Sequence, residues 1–308
     1  MTYQEWVFKW LKIYVEPSAK QRTYLNYSNI MRLHILPNIG HINLSELTVL
    51  KLQNFVNSLL IGGNCKTGKG LSSSFVNVII SIIKISLKTA YLMGFTEEYI
   101  ADRIKRPKFI EKKIECFSVA EQKKIETAVL NDKRDKMFGV VLCLYTGLRI
   151  GELLALTWKD IDFEKKLLSV SKTCYDRNIE NEHVRVIDTP KTPTSWRIIP
   201  IPIQLIPHLK TLKKRSQCEY VIADKTKPVF VRSYQRTFEL MLQKLNIPHR
   251  GIHSLRHTFA TRALECGMDV KTLSEILGHK NATITLNRYA HSMMEHKTAM
   301  MNRLGKLF

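Results

Sequence analysis

Along most of this chain the apolar residues recur at helical spacing, and only a short middle stretch alternates, so the pattern predicts a mainly α-helical protein with a little sheet. Tyr3 to Val15 places Trp6, Trp10 and Tyr14 on one helical face before Pro17 ends the segment. A second helix is expected from about Gln21 towards His34, ending in the turn Pro37 to Gly40. Thr48 caps a third with Leu52, Phe55, Val56 and Leu59 inward, and Ser72 begins a fourth, through Phe75, Ile79, Ile82 and Ile83, to Gly94. These four helices form a small bundle. The pattern then breaks at Asp102 to Lys113, where a basic run surrounds Pro107 and reads as a linker. The expected division is a helical domain over 1–104, a basic linker over 105–115 and a second domain over 116–308.

The second domain opens with a capping box, Ser118 and Glu121, ahead of a helix to about Leu130. Met137 to Tyr145 is almost wholly apolar and predicts a buried helix that breaks at Thr146 and Gly147, and Ile150 to Leu156 predicts another directly after Arg149. Three β-type runs follow: Lys166 to Thr173, then Val184 to Asp188 and Trp196 to Ile201, the last two expected to pair as a hairpin around the loop TPKTPTS that holds Lys191. Helices are expected again over Ile206 to Lys214 and Tyr234 to Leu245. In the stretch from Gly251 to His291, Ile252, Leu255, Phe259 and Ala263 form an inward stripe, and His253, Arg256 and His257 share a second, basic face. Val270, Leu273, Ile276 and Leu277 repeat the spacing up to Gly278, a residue type favoured at helix ends. His279 follows, and Tyr289 sits in a third helix.

Charge narrows the class of partner. The 308 residues carry 48 Lys and Arg against 27 Asp and Glu, a net charge of +21. The excess is spread, +8 over 1–110 and +13 over the remainder, so both domains are expected to face one polyanion. Six scattered cysteines without a CxxC pair suggest reduced thiols rather than zinc or disulfides. The N-terminus has no signal-like apolar region, and the longest apolar runs are interrupted by Lys84 or Arg149, so a cytoplasmic protein with no membrane role is expected. GGNCKTGKG fits GxxxxGK from Gly63 to Lys69, but Gly70 stands where a phosphate-binding loop needs Ser or Thr, and helices flank it; a basic loop is the better reading.

Taken singly, the polar residues have structural explanations. Arg149 and Glu152, three apart, fit a buried ion pair. Lys191 fits a solvated loop charge, His253 and His279 fit helix-end residues, and Tyr289 fits a helix tyrosine with a buried ring. Together, TGLRIGEL with Arg149 and Glu152, the loop Lys191, HSLRH with His253 and Arg256, LGH with His279, and RYAH with Tyr289 resemble the motifs of tyrosine recombinases of the phage-integrase type, in that family's order. HILPNIGHINLSELT followed by LQNF resembles the family's core-type DNA-binding domain, so the resemblance covers essentially the whole chain.

That resemblance implies a four-helix, SAM-like core-binding domain followed by an α+β catalytic domain with a small antiparallel sheet. It implies Arg149, Lys191, His253, Arg256, His279 and the nucleophile Tyr289 as the catalytic set, with Glu152 supporting Arg149, and His257 and His291 structural or facing DNA. A phenol with a pKa near 10 needs help to attack a phosphodiester, and arginines that bind two oxygens each are suited to stabilise the added charge. By resemblance Lys191 protonates the departing sugar oxygen, and the product is a 3′-phosphotyrosyl link that a 5′ hydroxyl later reseals. Neither cofactor nor metal is expected. Lys66, Lys69, Arg103, Lys105, Arg106 and Lys108 are candidate DNA contacts. The implied partners are double-stranded DNA, a homotetramer on two DNA sites with the tail from 292 exchanged between subunits, and a directionality factor. A type IB topoisomerase, a chromosome-dimer resolvase and a non-catalytic DNA-binding regulator remain alternatives. Whether an arm-binding domain precedes this sequence is open.

Overall fold

A computed structural model of the chain describes residues 1–108, 115–179, 182–188 and 196–289 together with 298, 301, 302, 304 and 305, with residues 178, 179 and 287–289 described by their backbone alone. Lys191 with its loop, part of the linker and most of the tail from 292 lie outside the described residues. The chain divides into two compact units, Met1–Lys112 and Lys113–Phe308.

In the first unit, α1 (Tyr3–Trp10) starts from a capping box: the Thr2 hydroxyl accepts from the Glu5 N–H, and the Glu5 carboxylate accepts from the Thr2 N–H. The helix widens into a π-type turn over Leu11–Val15. That change of pitch rotates later side chains off the expected face, so Trp6 and Trp10 are buried while Tyr14 is 36% exposed. α2 (Gln21–Ile30) passes through a similar turn, Met31–Ile35, into the short α3 (Leu36–Ile39). α4 (Val49–Gly62) is capped by Thr48 and buries Leu52, Phe55, Val56 and Leu59, as its spacing predicts. α5 (Ser73–Leu92) is long and apolar enough by composition to cross a membrane; Lys84 does not interrupt it, because its ammonium pairs with Asp102 at 3.1 Å. In this unit it is the central core helix, with Val76, Ile79, Ile80, Ile83 and Leu87 packed in one cluster with Trp6, Trp10, Leu52 and Phe55. The glycine-rich loop joins α4 to α5, and Asn64 Oδ1 accepts from the Lys66 and Thr67 N–H groups, which makes it a polar turn between helices.

The second unit begins with α6 (Val119–Leu130), whose Ser118–Glu121 capping box is formed, then α7 (Phe138–Thr146) and α8 (Ile150–Ala155). α7 is buried nearly all round and ends at Gly147, which has φ 65°. A side chain there would meet Phe259 at 2.5 Å and Leu277 at 2.9 Å, so this turn requires glycine for both conformation and space.

The strands depart from the predicted hairpin. β1 (Ile161–Asp162), β2 (Leu167–Val170), β3 (Thr173–Ile179), β4 (Glu182–Asp188) and β5 (Arg197–Pro200) form two antiparallel groups, β1-β2-β5 and β3-β4. β4 therefore pairs with the run before it, not with β5. The run TCYDRNI lacks apolar alternation, yet it serves as a strand because its polar residues are used: the Asp176 carboxylate accepts from the Val231 and Arg232 N–H groups at 3.1 and 2.9 Å. β5 is drawn to β2 by burial, with Leu168 opposite Ile199, both inside the core. After α9 (Ile206–Arg215), the short pair β6 (Ala223–Asp224) and β7 (Lys227–Pro228), and α10 (Val231–Lys244) come α11 (His253–Glu265), α12 (Val270–Leu277) and α13 (Ala282–Tyr289).

Candidate active site

The site is assembled around the carboxyl end of α12. Gly278 closes that helix with φ 63°, a turn that leaves the last carbonyl oxygens without helical partners. Three successive ones each receive a different arginine. Arg197 Nε donates to the Ile276 oxygen at 2.6 Å, Arg256 Nη2 to the Leu277 oxygen at 2.6 Å, and Arg149 Nη2 lies 3.4 Å from the Gly278 oxygen. A helix C-terminus carries partial negative charge, so this is where cations are favoured.

Each arginine arrives for a local reason. Arg149 is the N-cap residue of α8, and its N–H donates to Glu152 Oε2 at 2.9 Å while its Nη1 donates to Oε1 at 2.8 Å. Arg256 lies one turn into α11 and is 2% exposed; its Nη1 donates to the Gly147 oxygen at 2.7 Å. The expected basic face of α11 is thus divided. His253 is exposed at the start of the helix, Arg256 is buried, and His257 is half-buried with its ring centre 4.8 Å from that of His253. Burial reaches round most of the helix because Ser254, Thr258 and Thr261 are inside as well as the apolar stripe.

His279 follows the α12 turn. Its Nε2 lies 3.0 Å from Arg256 Nη2, which can only donate, so Nε2 is assigned as the acceptor and the Nδ1–H donates to the Thr285 hydroxyl at 2.7 Å. Thr285 is fully buried in α13 and lies one helical turn before Tyr289, the last residue of that helix. The structure therefore brings Arg149, Arg256 and His279 to one point and leaves His253 at the head of the helix that carries Arg256. Lys191 and the Tyr289 side chain lie outside the described residues. Among those residues no group of three or more His, Cys, Asp and Glu could hold a metal ion.

Two residues were missed by sequence reasoning, Arg197 and Thr285. Arg197 donates through Nη1 and Nη2 to the two Glu152 oxygens at 3.1 and 2.8 Å, and its side chain is 5% exposed. The signal was available: the alternation that sends Ile199 inward sends Arg197 inward too, and a buried arginine requires an acid. Glu152 is that acid. Burial by itself would raise its pKa, but the Arg197 hydrogen bonds and charge, then the Arg149 charge and N–H, outweigh this and hold the carboxyl at about 2. Thr285 offered no comparable signal.

In the first unit, Lys66, Lys69, Lys105 and Lys108 are exposed. The Arg103 guanidinium pairs with Glu98, and Arg106 donates to the Asn77 oxygen at 2.9 Å and to the Ser81 hydroxyl at 3.1 Å.

Residues 118–296 match the phage integrase family, and residues 2–60 match the phage integrase N-terminal SAM-like domain. A XerC-like tyrosine recombinase of Caldanaerobacter subterraneus subsp. tengcongensis is 32% identical over a 341-residue alignment that takes in all of this chain and 84% of the relative. The fold resembles the Tn1549 transposon integrase solved with circular intermediate DNA, with TM-score 0.81, 25% identity and 99% of each chain covered. It also resembles a lambda integrase tetramer solved on a Holliday junction, with TM-score 0.69, 20% identity, and 92% and 79% of the two chains covered.

Proposed function

This chain belongs to the phage integrase family of tyrosine-type site-specific recombinases, and from that premise we propose that it integrates and excises a mobile DNA element through a 3′-phosphotyrosyl intermediate. The observation that carries the proposal is the gathering of Arg149, Arg256 and His279 at the α12 terminus, with His279 bonded to Thr285, which lies one helical turn before Tyr289 in α13.

In this scheme the Tyr289 oxygen forms a bond to the scissile phosphorus while the bond from phosphorus to the 5′ oxygen breaks. The tyrosine proton passes to solvent, with His253 assisting, and Lys191 supplies a proton to the departing 5′ oxygen. Arg149 and Arg256 stabilise the added charge on the non-bridging oxygens, and His279 contributes a third donor. The phosphate ester is conserved as a phosphotyrosine, so the 5′ hydroxyl of a partner strand can attack it and reseal DNA without ATP. His279 Nε2 faces Arg256 as an acceptor before DNA arrives, so donation from that nitrogen to a phosphate requires it to take up a proton. The first unit is proposed to contact DNA through Lys66, Lys69, Arg103, Lys105, Arg106 and Lys108. The transposon integrase solved with circular intermediate DNA and the lambda integrase tetramer solved on a Holliday junction support DNA as the substrate and a tetramer as the working assembly.

The test maps the junctions of the flanking genomic element and incubates the protein with nicked duplexes of those junctions, reading covalent protein–DNA complex on a denaturing gel. The wild type is expected to give a covalent band and Tyr289→Phe none; a band that persists in Tyr289→Phe overturns the nucleophile. Supercoil relaxation without strand exchange would favour a type IB topoisomerase instead.

A further inference from the structure

A catalytic arginine held by a carboxylate raises an electrostatic problem. If Glu152 answered only to Arg149, the pair would be neutral, and the guanidinium meant to attract a phosphate would have its charge cancelled from behind. Arg197 changes this balance. Its two terminal nitrogens face both Glu152 oxygens, it is itself nearly inaccessible, and its Nε is spent on the Ile276 carbonyl. One carboxylate is thus shared between two guanidiniums, and the trio carries a net charge of one positive unit. The inner arginine is sealed in the core, whereas the Arg149 side chain is 36% exposed, so the surplus charge is presented on the Arg149 side.

Resting on the catalytic reading above, we infer that Arg197 is a positioning residue for DNA cleavage: by taking up the charge of Glu152 from the buried side, it leaves the Arg149 guanidinium cationic towards the scissile phosphate while Glu152 still fixes its direction. A second observation ties Arg197 to the same geometry. A side chain added at Gly278 would meet Arg197 Cδ at 3.0 Å and Nη1 at 3.1 Å, so the turn leading to His279 is built in contact with this guanidinium. From β5, Arg197 thereby joins α8, which Arg149 caps, to α12, which leads to His279.

The experiment measures the first-order rate of covalent-complex formation at saturating nicked DNA for the full chain. Arg197→Met is expected to slow cleavage on the order of 10²-fold with DNA affinity little changed, because Glu152 then neutralises Arg149. Adding Glu152→Gln removes the carboxylate that needs balancing, so the double variant R197M/E152Q is expected to recover roughly tenfold over R197M. Arg197→Lys, which keeps the charge but not the fork, is expected to lie between wild type and R197M. A merely structural Arg197 would make the double variant no faster than R197M and the Lys variant no better than the Met variant, and either result overturns the inference. Should R197M not fold, Arg197→Gln, neutral but still polar, takes its place with the same expected order; a folded neutral variant that cleaves at the wild-type rate also overturns it. Absence of a covalent complex in the wild type would instead remove the catalytic reading, and this inference with it.

Discussion

Replacing Glu152 with Gln is the most direct probe of the cluster, because it keeps the shape of the side chain and deletes its charge. In the native protein two guanidiniums hold this carboxyl at about 2, against 4.5 for an unperturbed glutamate. That lowering corresponds to about 3 kcal/mol of stability that the ionised form contributes at neutral pH. Glu152 is only 4% exposed, so solvent screening takes little from that figure. The pKa is lowered on folding, so the contribution is complete above the unfolded value and is lost as pH falls towards the folded one. Glu152→Gln is therefore expected to unfold in urea with about 3 kcal/mol less stability at pH 7, and the gap is expected to be about 1 kcal/mol smaller at pH 3.5. Hydrogen exchange of the α7 and α8 amides assigns the change to the second unit. A gap below about 1 kcal/mol at pH 7, or one that widens as pH falls, would refute the reasoning.

Other substitutions test neighbouring parts. Thr285→Val keeps the volume but removes the partner of His279 Nδ1, and is expected to cost about 1 kcal/mol and to slow covalent-complex formation roughly tenfold, read by urea denaturation and denaturing gel. Gly278→Ala forces a side chain into a positive-φ turn against Arg197, and an expected loss of about 1–3 kcal/mol should appear in the same urea titration. Arg256→Lys cannot serve the Gly147 and Leu277 oxygens and His279 with one fixed fork, and its single-turnover cleavage rate is expected to fall roughly a hundred- to a thousandfold.

The helices were legible because their apolar spacing and caps act locally: Thr48, Ser72 and Ser118 all cap helices where the sequence puts them. The β pairing was not, since it depends on long-range choices. Ile199 needed Leu168, and Asp176 needed the open N–H groups of α10, and neither partner is marked by alternation. The same contrast holds at the site. Arg149 and Glu152 are three residues apart and declare their pairing, whereas Arg197 reaches Glu152 from another element, 45 positions away. The exposure of Tyr14 shows a third limit, a local change of helical pitch that no regular period anticipates.

The end of α12 has a mechanical consequence. Three adjacent backbone oxygens are fastened to side chains from β5, α11 and the α7–α8 turn, so the helix terminus works as a keystone. The guanidiniums need no search for their places when a substrate arrives, since backbone oxygens already occupy the role of an anion and the ordering entropy, about 0.5–1.5 kcal/mol for each long side chain, is met on folding. Displacing α12 would break its bonds to all three arginines and carry His279 with it, so whatever displaces this helix acts on the site in full rather than one residue at a time.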